Sequence, residues 1–171
     1  MSRIPASQFS AALATELVTR GALVLDEWAP GWHDVLDLGT LDLRDGTVCV
    51  LGQAGPHIWE SMGTDPIEFY QLDEWTSPWT PRFNEASDLL RSVIVDFEPH
   101  LYGFDFPYPL LDDEPTNEAW LGTHARVWEM LTCAWLAAAA ERRLHDDPEG
   151  EPPYVAAEIA RQGATRSLVL A

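Results

Sequence analysis

No lysine occurs anywhere in the 171 residues; all ten basic side chains are arginine. That absence alone excludes a Schiff-base lysine, a P-loop lysine and a Ser–Lys dyad. Cysteine is almost as scarce. Cys49 and Cys133 are too few for a disulfide framework or a paired thiolate metal site, and both read as buried, reduced thiols. Long apolar runs are missing as well. The longest, "LTCAWLAAAA" at 131–140, has ten residues, against the roughly 20 that a bilayer needs. The N-terminal stretch "AALATELVTRGALVL" is interrupted by Glu16 and Arg20, with no cleavage-type segment after it, and so does not read as a signal peptide. A cytoplasmic protein with no membrane contact is expected.

Catalytic signatures are absent in the same way. The chain has no G-x-S-x-G elbow and no G-x-G-x-x-G loop, and "GQAG" at 52–55 lacks the spacing of a phosphate cradle. There is no EF-hand ligand ladder and no second Glu-x-x-His repeat. His33, His100 and His145 have no ligand-spaced neighbours, and His124 falls on the apolar arc of a helix, as a hydrogen-bonded core histidine would. Only His57 and Glu60 sit at i, i+3 on one helix. Neither a cofactor nor a tightly bound metal is expected from these patterns.

What the chain does have is negative charge. Its 28 Asp and Glu leave a formal −18, and residues 26–118 carry 20 of those acids against Arg44, Arg82 and Arg91 alone. Such a field repels phosphate backbones, so direct nucleic-acid binding is not expected, and it attracts basic proteins. Eight tryptophans accompany the charge. Two acidic, proline-marked segments concentrate both features: "TDPIEFYQLDEWTSPWTP" at 64–81 and "YGFDFPYPLLDDEPTNEAW" at 102–120.

The periodicities describe a mostly α-helical fold, α+β at most: one compact domain over 1–144 with a single small β-hairpin and long aromatic, acidic loops. Ser7 caps a first helix through Phe9, Leu13 and Leu17, which Gly21 ends or bends. Pro30-Gly31 makes a turn before Trp32, and Asp45-Gly46 between alternating segments signals a hairpin near 40–51. Pro56 opens a short helix closed by Gly63. Phe83, Ala86, Leu90, Val93, Ile94 and Phe97 form one arc of a helix over 82–97, opposite Glu85, Asp88, Ser92 and Asp96. A long helix over 118–144 aligns Trp120, Val127, Leu131, Trp135 and Ala138, with Glu118, Glu129 and Arg143 facing away. Residues 145–171 read as a linker, a short helix and a tail.

In order along the chain, "PGW" (30–32), "LDLRDGTVCVLGQ" (41–53), "YGFD" (102–105) and "LTCAWLAAAAERR" (131–143) resemble a group of small uncharacterised proteins of actinobacteria, their phages and mobile elements. The resemblance covers about 25–143, and the 64–100 stretch is longer and more aromatic than that pattern. It implies a phage or mobile-element accessory role and carries over no catalytic residue.

The expected function is a non-enzymatic interaction protein that binds and modulates a basic host protein, in its sharpest form as a DNA mimic acting on a DNA-handling enzyme or regulator. Trp75 and Trp79, with Asp73 and Glu74, belong to no apolar stripe and are candidate partner contacts. Tyr108, Asp112, Asp113 and Glu114 join them, on a loop stiffened by Pro107, Pro109 and Pro115 and anchored by burial of Tyr102 and Phe104. Immunity against a basic nuclease toxin is a close variant. The rival class is a small metal-assisted hydrolase using His57, Glu60 and the 105–114 carboxylates.

Overall fold

Ser10, not Ser7, starts the first helix. Its backbone is extended and its side chain accepts from the Leu13 amide at 3.3 Å, capping α1 (Ala11–Trp28), while Ser7 lies in a 3₁₀ turn over Ala6–Gln8. This computed structural model describes residues 4–63, 81–107, 111 and 118–147, of which Ala6, 81–83 and 118–121 are described in backbone only. Gly21 neither ends nor bends α1; it is buried in its middle. A Cβ there would come within 2.2 Å of the Tyr102 carbonyl oxygen and 2.8 Å of the Trp135 ring. The glycine is therefore a contact point rather than a terminator.

The expected hairpin is not formed: the described residues contain no strand, and 41–49 is a chain of turns running into α2 (Val50–Ser61). The Asp-Gly signal belongs to a side-chain turn. Asp45 accepts from the Thr47 amide at 2.9 Å and its hydroxyl at 2.7 Å, and its carbonyl takes the Cys49 amide at 2.8 Å. Cys49 then caps α2, its sulfur accepting from the Gly52 amide at 3.3 Å. Gly52 lies so close to the Gly46 carbonyl that a Cβ would sit 2.2 Å from it. The "GQAG" glycine serves this close crossing. Pro56 falls inside α2 rather than opening it.

Helix α3 spans Pro81–Val93 and α4 spans Glu118–Asp146. Both were legible as amphipathic segments, with Ala86, Leu90, Val127, Leu131 and Trp135 fully buried. Val93 departs from its expected arc and is 37 % exposed, because α3 ends there and the chain swings away through Asp96 at φ +57°, returning Phe97 to the core. The 3₁₀ turn Pro99–Tyr102 follows. Cys133 is exposed on α4, against expectation, whereas Cys49 is buried.

Helix α1 packs on α4 and on the 99–102 turn, and α2 packs on α3. One cluster runs through all four helices, from Leu17 and Leu25 through Ile58 and Leu90 to Leu131 and Trp135, with Leu36, Leu38, Leu41 and Leu43 added by the irregular 36–43 segment. No described helix is long and apolar enough to cross a membrane. The helix expected within 145–171 lies outside the described residues.

Candidate functional site

The segment after α1 has one task that its sequence makes explicit. Pro30 breaks the helix, Gly31 takes φ +81°, and Trp32 is delivered fully buried against α4. The His57 ring on α2 fixes that turn from outside, with Nε2 2.7 Å from the Pro30 carbonyl oxygen. Trp32 meets Trp135 edge-to-face at 5.5 Å, and Trp135 stacks on Phe104 at 4.9 Å. The Trp135 indole N–H donates to the Gly103 carbonyl at 2.7 Å, and Leu43 N lies 3.4 Å from Thr132 Oγ1. The segments containing "PGW", "YGFD" and "LTCAW" thus converge on one buried aromatic column. Phe104 anchors its loop as expected, and Tyr102, half-buried, stacks on Phe97 at 4.8 Å.

Polar groups surround the outer end of this column. Asp26 on α1 accepts from the Trp32 indole at 2.8 Å and from the Arg142 guanidinium at 2.7 and 2.6 Å. Burial pushes the Asp26 carboxyl up, but the hydrogen bonds from Arg142 and Trp32 outweigh it and hold the pKa below the ordinary value. Arg142 also lies over the Trp32 ring at 5.4 Å. Arg143 does not project away from the core, as its helical phase suggests. Its guanidinium donates to the His33 carbonyl at 2.9 and 2.6 Å and to the Leu36 carbonyl at 2.6 Å, satisfying loop acceptors that no strand or helix serves.

His33, read from sequence as lacking ligand-spaced neighbours, receives one from 113 residues away: Asp146 Oδ2 lies 2.8 Å from Nε2. Asp34 Oδ1 is 3.8 Å from the same nitrogen. The ring is buried, and Nδ1 has no hydrogen-bond partner among the described residues. Nε2 is taken up by Asp146 and Nδ1 is enclosed by protein, so neither ring nitrogen stands free toward an incoming substrate. The dyad edges an open groove of about 620 Å³ between α1 and α4, floored by Val18, Ala134 and Ala138 and rimmed by Asp26, Glu141 and His145.

The residues proposed from sequence as partner contacts (Asp73, Glu74, Trp75, Trp79, Tyr108, Asp112, Asp113 and Glu114) lie outside the described residues. His57 and Glu60 belong to no three-donor group among the described residues; His33, Asp34 and Asp146 do. His124, expected in the core, is half-buried at its edge, where it packs on Phe106 with centroids 3.6 Å apart and burial lowers its pKa. The Cys49 thiol is pushed by burial to about 11, which makes it a cap and not a nucleophile. Sequence reasoning missed Asp26, His33, Arg142, Arg143 and Asp146, since nothing in local spacing links the end of α1 to the end of α4. The one available signal was the adjacency of "DEW", "PGW" and "ERR" to otherwise complete apolar stripes. No family model, curated protein or solved structure matches the chain.

Proposed function

We propose that this chain is an acidic, non-enzymatic interaction protein that docks onto a basic protein. The observation that carries the reading is how its arginines are used. Arg20, Arg44, Arg91 and Arg142 each pair with a carboxylate of the same chain, Glu16, Asp42, Asp88 and Asp26 in turn. Arg143 is spent on two loop carbonyls. These five arginines are occupied within the chain, and its acids outnumber its ten arginines by 18, so the excess of carboxylate is left for a partner.

The partner class follows from that field together with the aromatic, acidic segments at 64–81 and 102–120. A DNA-handling enzyme, a regulator or a nuclease toxin offers the arginine- and lysine-rich groove that such a surface complements, and in the sharpest form the carboxylates stand in for a phosphate array. The resemblance to phage and mobile-element proteins agrees with an accessory that inhibits or modulates a host protein. Capture from an actinobacterial lysate, followed by a salt series and competition with duplex DNA, tests this. Association should slow steeply as ionic strength rises and the Debye length drops from about 10 Å at 0.1 M toward 3 Å at 1 M. Displacement by duplex supports the mimic; a complex indifferent to salt discards the whole reading.

A further inference from the structure

We infer that His33, Asp34 and Asp146 form a binding site for one divalent transition-metal ion, with zinc the best-matched probe. The site is independent of the docking reading above. Its three donor atoms, His33 Nε2 and one oxygen from each aspartate, all lie within 4.8 Å of one another. Tetrahedral bonds of about 2.0–2.1 Å need donors about 3.4 Å apart. The present separations of 2.8 Å to Asp146 and 3.8 Å to Asp34 straddle that spacing. Small rotations of the two carboxylates close the difference, and both side chains are free to make them at 57 % and 67 % exposure.

The histidine supplies the rigidity. Its side chain is only 7 % exposed, its ring meets Trp32 edge-on at 5.7 Å, and its backbone carbonyl is clamped by Arg143. An imidazole nitrogen with two carboxylates selects borderline ions such as zinc over magnesium, which prefers oxygen and retains its waters. The two carboxylates balance the ion's charge, and the neighbouring cations are already engaged, Arg142 with Asp26 and Arg143 with carbonyls. The open groove leaves the remaining coordination position to solvent.

Ligation through Nε2 requires the ring proton to sit on Nδ1. That nitrogen has no described acceptor, and a missing outer partner of this kind costs about 10–100-fold in affinity. A micromolar, exchangeable site is therefore expected, not a nanomolar structural one. Sequence spacing dismissed His33 as a ligand because its companions come from the next residue and from the far end of α4.

Calorimetric titration of the chelator-treated full chain with Zn²⁺, and separately with Mg²⁺, tests the site. The expected result is one equivalent of zinc bound at micromolar affinity, weakened at least about tenfold by Asp34→Asn and by Asp146→Asn, since losing a ligand should cost no less than the loss of an outer-shell partner does. Asp34→Asn should leave the metal-free melting temperature unchanged, which separates ligation from folding. His57→Gln should bind as the parent does, and zinc should shift the His33 ring nitrogen resonances. No saturable single-site binding, full affinity in both aspartate variants, or magnesium bound as tightly as zinc would each overturn the assignment.

Discussion

The two helix pairs of this protein are joined by different physics. Helices α2 and α3 share one apolar cluster that includes Val50, Leu51, Ala54, Ile58, Ala86 and Leu90, and the hydrogen bonds of Cys49, Gln53 and His57 run to Gly52, Asp37 and Pro30, at most 27 residues away in sequence. Between α1, the 29–36 loop and α4 the apolar contact is overlaid by directional bonds across more than 100 residues of sequence, from Asp26 to Arg142 and from His33 to Arg143 and Asp146. Burial of area is forgiving of shape, since a similar volume of hydrocarbon serves. A bond between buried polar groups is not, because removing one partner strands the other.

The sharpest way to break that contrast is at Trp135. Trp135→Ala should cost about 3–5 kcal/mol in chemical denaturation, and Leu90→Ala about 2–5 kcal/mol, so truncation alone will not distinguish the pairs. Shape-preserving changes will. Trp135→Phe keeps much of the apolar area but leaves the Gly103 carbonyl without its donor, and should cost about 1–3 kcal/mol beyond the lost area. Leu90→Met should cost under about 1.5 kcal/mol. Equal losses in the two conservative variants would erase the distinction.

A smaller effect is expected at the groove. Asp26→Asn and Arg142→Ala should each destabilise by about 1–2 kcal/mol and show clear coupling in a double-mutant cycle, since they share a bidentate contact only partly open to water. The sign of the pH dependence follows from the lowered Asp26 pKa. A carboxyl depressed on folding stabilises fully above its unfolded value of about 3.9, and that contribution is lost as pH falls through the lower folded value. The difference between parent and Asp26→Asn should therefore be constant near neutrality and shrink in acid. The smallest effect is chemical. Cys133 on the surface of α4 should react with a thiol reagent in the folded state, while Cys49 should react only on unfolding.

How legible these halves were in the sequence follows from the same contrast. Helices α3 and α4 announce themselves because Leu90, Leu131 and Trp135 repeat at helical spacing, and periodicity reports burial. The 41–49 turns did not, because Asp45-Gly46 between alternating residues is ambiguous until one knows whether the aspartate side chain or a partner strand takes the backbone amides. Phase alone puts Arg143 on the solvent face, but its long side chain reaches back to the loop carbonyls. The meeting of His33 and Asp146 has no local signature at all, since it depends on how α4 lies across α1.

The clamp of Arg143 on the His33 and Leu36 carbonyls also sets an order in time. A chain emerging from the ribosome exposes the 29–36 loop long before it exposes the last turns of α4, the two being more than 100 residues apart. At about 5–20 residues per second that interval is on the order of 5–20 s. Throughout it the His33 and Leu36 carbonyls lack the Arg143 guanidinium, Trp32 lacks the α4 ring against which it packs, and Gly21 lacks the Trp135 ring beside it. Closure of this half is therefore a late event, gated by the synthesis of two adjacent arginines.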